Sequence, residues 1–333
     1  MKACLDCLPC LAKNATELAR RTARGDSVLE AEIARSGLEI LGNAAMDGYP
    51  LPPPCYARRL IDNALAKSGG SVPDPWAKEK KISTELALKL MARLPEIPGW
   101  DPESFESRLR LAVAGNILDF SIYADLDIAA ALETMTTAFT KPICGALGIT
   151  RPTDAGRAVC PQAADIVFEL KRRMDEARSI LWIFDNCGEA VFDRLLMEPY
   201  REKLTLAVRG KPAFNDLTCA ELAESGYPEG FAAGGVVANA DGVPGVVDAT
   251  CGAAFRAAFA AADLIVAKGQ ANFETMNERT DKPIAFLFLA KCPVVCRAVG
   301  AEPKAIQIIL NHNGGSDIAS PMSRGNYLGE YCG

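Results

Sequence analysis

Histidine is almost absent from this chain: in 333 residues His312 is the only one. That nearly excludes a multi-histidine metal centre and a Cys/His catalytic pair. No apolar run approaches the roughly 20 residues that span a bilayer, and the opening MKACLDCLPC lacks the apolar core of a secretion signal. The expectation is a cytoplasmic protein with no membrane partner. Positive charge is not in excess either. The 36 Lys and Arg stand against 42 Asp and Glu, a net charge of -6, which argues against nucleic acid as a partner. Neither a GxxxxGK[ST] loop nor a GxGxxG turn after a strand occurs, so nucleotide binding of the usual kinds is not indicated.

What the chain does have is length, a 49% hydrophobic composition and twelve cysteines. The first two suit one large domain or two, with ample core. The cysteines favour reduced thiols or a metal site over a disulfide framework. Cys144, Cys160, Cys219 and Cys251 stand singly in apolar contexts and read as buried fillers. Cys4-x2-Cys7-x2-Cys10 is different: overlapping CxxC pairs can bind zinc or an iron–sulfur cluster, or act as a redox pair. Zinc takes four ligands and no second CxxC exists. Cys292, Cys296 and Cys332 complete such a site only if the fold joins the two ends of the chain. A structural role for the three N-terminal cysteines stays open beside the metal or redox one.

Residues 26–150 read as mainly helical. Segments starting near Ser27, Tyr56, Ser83 and Leu126 carry apolar residues at i, i+3 and i+4, with the Pro-rich loops YPLPPP and VPDPW between them. Gly115, Asn116 and Asp119 interrupt a further apolar helix, a costly choice unless packing or function requires it. From about residue 155 short apolar runs alternate with helical segments. The predicted strands are 179–184, 204–208, 235–239, 264–268 and 284–290; the predicted helices are 162–178, 187–198, 218–226, 250–262 and 272–278. This alternation implies an α/β fold whose parallel sheet is covered by helices on both faces. The division expected is a helical N-terminal domain, 1–154, carrying the CxxC motif, and a metal-binding catalytic domain, 155–333.

The chain is organised around RSILWIF-DNCGEAVFD, residues 178–193. A buried strand delivers Asp185 and Asn186 to a helix start, where open α/β sheets place their ligands. Hard oxygens there suit a magnesium- or manganese-type ion; the plainer alternative is a helix cap beside a solvated acid. The other strands deliver polar groups to the same edge. Strand 204–208 leads to Asn215 and Asp216, strand 264–268 to Lys268, Gly269, Asn272 and Glu274, and strand 284–290 to Lys291-Cys292-Pro293. Asp185, Asn186 and Asp216 can hold a divalent cation, leaving positions for water and substrate. Lys268 and Lys291 can neutralise a phosphate, with the amides of Gly269–Asn272 cradling its oxygens. Such a site suits phosphoryl transfer to water.

Taken together these motifs resemble the damage-control phosphatases. The resemblance rests on Asp185-Asn186-x-Gly188-Glu189-x3-Asp193, on Lys211-Pro212-x2-Asn215-Asp216, and on Ala262-Asp263 running to Lys268-Gly269-Gln270-x-Asn272-x-Glu274. Lys291-Cys292-Pro293, the upstream Gly115-Asn116-Ile-Leu-Asp119-Phe and the N-terminal Cys7-x2-Cys10 of the cysteine-bearing, mostly prokaryotic branch match too. The resemblance covers nearly the whole chain. It implies a three-layer α/β/α sandwich with a mostly parallel sheet, preceded by a helical domain. It also implies a divalent metal (Mg, Mn, Co or Ni) on Asp185, Asn186 and Asp216, and phosphate contacts from Lys268 and Lys291. Asn116, Asn272 and Glu274 would fix the metal shell and the substrate, a small phosphorylated metabolite. Two features depart from the pattern: Cys187, where a small residue such as alanine is usual, and the loop ANADGVPG after strand 235–239. A carboxyl methyltransferase, an activity recorded for one branch, is an alternative that no suitable glycine-rich loop supports. A non-catalytic module built on Cys4, Cys7 and Cys10 is another.

Overall fold

The computed structural model describes residues 1–70, 73–117, 128–147 and 163–311. Asp119, Cys160, His312, Cys332 and the boundary expected near residue 154 lie outside the described residues. Six helices come first: α1 (Leu8–Ala23), α2 (Ser27–Met46), α3 (Pro53–Lys67), α4 (Ala77–Met91), α5 (Phe105–Ala114) and α6 (Ile128–Phe139). Their starts follow local chemistry. Asp26 accepts from the amides of Val28 and Leu29 to cap α2, and Ser104 accepts from Ser107 to cap α5. Proline at the start of α3 has no amide to leave unpaired.

Strand β1 (Ile143–Leu147) and α7 (Ala163–Glu176) then lead into β2 (Ile180–Ile183), α8 (Cys187–Met197), β3 (Leu204–Val208) and β4 (Val236–Ala238). The described chain closes with α9 (Ala253–Ala261), β5 (Leu264–Lys268), α10 (Gln270–Met276), β6 (Ile284–Leu289), α11 (Pro293–Val299) and β7 (Ile306–Leu310). The seven strands form one sheet in the order β1-β7-β6-β5-β2-β3-β4. The pairs from β6 through β5, β2 and β3 to β4 are all parallel, so their carboxyl ends share one edge. Among the described strands the β6–β7 pair is antiparallel, and β1 pairs with β7 in parallel.

Alternation along the strands builds a core on each face. Leu181, Ile183, Ile265, Ala267, Phe286 and Phe288 pack with α1, α2, α3, α9, α10 and α11. Ile180, Trp182, Leu206, Val266 and Leu287 point the other way, toward α5, α7 and α8. Each such leucine, isoleucine, valine or phenylalanine side chain stabilises the fold by about 1.5–3 kcal/mol on burial. The result is the α/β/α sandwich anticipated, and α1–α3 share one core with the sheet. A third, smaller core joins α4, α5, α6 and α8.

Three features differ from the sequence reading. The sheet gains β1 and β7, and α11 follows β6. Where a helix over 218–226 was expected, Thr218 bridges to Arg209 and residues 219–226 form consecutive turns. Glu221, which would start that helix, instead accepts from the backbone and hydroxyl of Thr218 and from Lys80, which fixes the segment by side-chain bonds.

Candidate active site at the carboxyl edge of the sheet

Two loops fold onto each other beyond β2 and β3. The amide of Leu217 donates to Asp185 O at 2.8 Å, and that of Cys187 donates to Asn215 O at 3.0 Å. These bonds set Asn186 and Asp216 side by side as an antiparallel bridge. Asn186 is the extended N-cap of α8, so the chain turns from strand to helix with Asp185 held at the edge. Asp185 and Asp216 keep only 9% and 4% of their surface.

Gly269, beyond β5, completes the close packing. Its φ of +81° suits glycine, and a Cβ there would lie 2.0 Å from Asp185 Oδ2. From the helical side, the Asn116 amide donates to Asp185 Oδ2 at 2.8 Å and to Glu189 Oε2 at 2.6 Å. Asn186 Nδ2 donates to the same Asp185 oxygen at 2.9 Å. The break at Gly115–Asn116 thus has a cause. A Cβ at Gly115 would meet Phe192 at 2.9 Å and the Glu189 backbone at 3.2 Å, so the end of α5 lies close against α8 and presents Asn116 to the site.

Behind this rim lies a charged layer. Glu189 and Asp193, one turn apart on α8, both face the Lys268 ammonium. Lys268 donates to both, to Asp193 at 2.6 Å, and to Ala112 O at 2.7 Å, with no exposed surface. The Lys268 ammonium, for which a phosphate contact was expected, is here turned to Glu189, Asp193 and Ala112 O. Asn272 is likewise enclosed, donating to Lys268 O at 2.7 Å and tying α10 to β5. Glu274 is buried and accepts from Gln270 at 2.9 Å. Gln270 in turn accepts from the amides of Lys291 and Cys292 at 3.0 and 3.1 Å, which fixes the loop after β6. The Lys291 side chain is exposed on that loop.

The electrostatics are those of a site rich in negative charge. Burial raises the carboxyl pKa of Asp216 above its usual range, and the charge of Asp185 adds to the rise. Burial also raises Glu189 and Asp193, and the Lys268 charge opposes that rise. Glu274 is pushed up to about 7, again first by burial. Cys187 is fully buried, and burial pushes its thiol up, so it acts as an inert filler beside the acids. Among the described residues no three His, Cys, Asp or Glu side chains form a ready metal cage. The carboxylates of Asp185 and Asp216 and the amide oxygen of Asn186 are hard donors of the kind a divalent cation takes.

Two buried cations escaped the sequence reading. Arg209 donates from Nε to Asp216 Oδ2 at 2.6 Å and from Nη1 to Gly245 O at 3.1 Å and Asn272 Oδ1 at 3.4 Å. Its signal was available, as a charged residue ending an apolar strand ahead of Asn-Asp. Lys80 of α4 lies 2.8 Å from Asp74 and 3.2 Å from Glu221, anchoring the segment after Asp216. Nothing in its surroundings in the sequence marks it. Arg209→Lys is expected to weaken divalent-cation affinity about 10–100-fold, the scale for partners of metal-binding groups. Isothermal titration with manganese reads this directly; unchanged affinity would show that Arg209 does not orient Asp216.

An α/β/α sandwich that gathers acids and amides at the carboxyl edge of parallel strands is the framework of a small-molecule enzyme. The model of the damage-control phosphatase ARMT1-like domain matches residues 3–306, and the chain belongs to that family. It is a phosphatase, of a family that is metal-dependent. It is 29% identical over 317 residues to the damage-control phosphatase PH1575 of Pyrococcus horikoshii, covering 93% of this chain and 99% of that one. A damage-control phosphatase of Archaeoglobus fulgidus is 29% identical over 234 residues, 69% of this chain and 74% of the relative. The crystal structure of a DUF89 family protein from P. horikoshii superposes with a TM-score of 0.77 at 26% identity, covering 93% and 99% of the two chains. Among the described residues no helix is long and apolar enough to cross a membrane.

Proposed function

We propose that this phosphatase hydrolyses phosphomonoesters of small metabolites, sugar phosphates or damaged phosphometabolites, at the edge formed by Asp185, Asn186 and Asp216. The observation that carries the reading is the meeting of two buried carboxylates, oriented by Asn116, Asn186 and Arg209, at the carboxyl ends of β2 and β3. Asp185, Asn186 and Asp216 are the residues that would hold Mg, Mn, Co or Ni. When bound, that cation supplies positive charge to a phosphoryl oxygen and acidity to a water.

The chain's own residues do the rest. Asn116 and Asn186 hold one Asp185 oxygen, leaving the other available. Gly269 lets the backbone pass against that carboxylate without a side chain between them. Lys291 brings positive charge to the approaching phosphate dianion, whose charge spreads over its equatorial oxygens as the ester bond breaks. Lys268 acts one layer back: it sets the charge of Glu189 and Asp193, and through Glu189 the orientation of Asn116. Asn272 and Glu274 fix α10 and the Lys291 loop. The helical part, residues 1–154 in our reading, frames substrate choice. A cytoplasmic location belongs to this reading, and the net charge of -6 accords with small-molecule rather than nucleic-acid substrates.

The test is a panel of sugar phosphates and p-nitrophenyl phosphate offered with each of the four metals. Hydrolysis is expected with at least one pair, and Asp185→Ala is expected to abolish it while circular dichroism shows the fold retained. Near wild-type turnover in Asp185→Ala would remove the assignment of the site. Silence on every ester with every metal would overturn the substrate class.

A further inference from the structure

The N-terminal cysteines play no part in the site above, yet two of them are brought together. Cys7 N donates to Cys4 O at 2.9 Å, closing a single 3-10 turn over Leu5–Cys7. Such a turn keeps its end Cα atoms within about 7 Å, and a disulfide spans Cα separations of about 4.4–6.8 Å. The two thiols already face each other, with Sγ atoms 4.0 Å apart. Both are buried, whereas Cys10 is exposed and Cys292 is half-buried. The same turn docks on α11 through the ion pair of Asp6 with Arg297, so the N-terminal segment and the loop after β6 are neighbours.

The sequence left zinc, an iron–sulfur cluster and redox chemistry open for these cysteines. A zinc site needs a third and fourth ligand, and among the described residues no third His, Cys, Asp or Glu joins the pair as a ligand. A disulfide needs only the two. We propose that Cys4 and Cys7 form a reversible intramolecular disulfide by exchange with a low-molecular-weight disulfide. One protein thiolate attacks a sulfur of R–S–S–R and releases R–S⁻, leaving a mixed disulfide. The second protein thiolate attacks that protein sulfur and releases the other R–S⁻. The S–S bond of the reagent breaks, one S–S bond forms in the protein, and two electrons and the two thiol protons end on two R–SH. Burial, with Cys4 beside it, pushes the Cys7 thiol up to about 12, so exchange is slow and the pair is no fast oxidoreductase.

The experiment uses the full reduced chain exposed to oxidised glutathione for hours, then alkylated in denaturant and digested with trypsin. The fragment from Ala3 to Lys13 holds Cys4, Cys7 and Cys10. It is expected to lose two hydrogens and carry one alkyl group, on Cys10, and dithiothreitol is expected to restore three alkylated thiols. Cys4→Ser is expected to leave no internal crosslink in the fragment. Three alkyl groups after full exposure would overturn the proposal, as would a crosslink from Cys7 to Cys10 or Cys292. Stoichiometric zinc in the purified protein, released by Cys4→Ser, would overturn it in favour of a metal site. The readout is independent of hydrolysis, so it stands or falls apart from the phosphatase reading.

Discussion

Gly269→Ala is expected to lower ester hydrolysis by about two orders of magnitude, the cost associated with displacing a reacting group by about 1 Å. The added Cβ would sit 2.0 Å from Asp185 Oδ2 and 2.1 Å from its carboxyl carbon. Neither side can yield easily. Asp185 Oδ2 is held by Asn116 and Asn186, and the Asp185 carbonyl is held by Leu217. Gly269 is tied through its amide to Leu287 O of β6 at 3.0 Å. With φ +81° and ψ 157° the backbone lies in a region that essentially only glycine adopts, which adds strain of about 1–3 kcal/mol for alanine. The variant should therefore lose both stability and activity, the activity by the larger factor. Hydrolysis rates and urea midpoints measured on one preparation check both; wild-type activity would mean that Asp185 is not part of the site.

Lys268→Met should produce the largest loss of stability of any single change at this edge. The methionine keeps the volume but leaves Glu189 and Asp193 facing each other in the core. Removing one partner of a buried ion pair costs about 3–5 kcal/mol, a large part of the 5–15 kcal/mol that holds a domain folded. The pH dependence has a definite sign. Both acids have folded-state pKa values raised above their unfolded ones, and loss of the lysine raises them further. Raised acids bind protons in the folded state, so their favourable contribution is complete below the unfolded carboxyl range and fades as pH rises through the folded values. Relative to wild type, the variant should be least destabilised in acid and most destabilised at alkaline pH. A urea series across pH reads the trend, and a variant as stable as wild type at pH 8 would contradict the account of this layer.

Much of this was legible in the sequence because strand ends in a parallel sheet must share an edge. Asp185, Asn186 and Gly269 stand at the ends of apolar runs and Asp216 in the loop after one, so their convergence needed only the alternation of strand and helix. The role of Lys268 was not legible. Sequence position says that a residue ends a strand, but not which way its side chain leaves; an inward turn to Glu189 and Asp193 depends on α8 packing against β5. Arg209 and Lys80 were missed for a related reason, since a buried cation is recognisable only with its distant partners, Asp216 in one case and Asp74 and Glu221 in the other. Strand β1 pairs with β7 and β7 with β6. Such pairings across long stretches of chain leave no local trace. The turns at 219–226 show side-chain bonds from Thr218 and Lys80 overriding a helical pattern.

The most direct test of the central claim is the hydrolysis of p-nitrophenyl phosphate by protein stripped with a chelator. Magnesium, manganese, cobalt or nickel is then restored singly to the wild type and to Asp216→Asn. The account predicts that stripping removes activity, that at least one of these ions restores it in the wild type, and that none does so in Asp216→Asn at the same concentration. Activity that survives complete stripping, or an Asp216→Asn variant that recovers with the wild type, would contradict it.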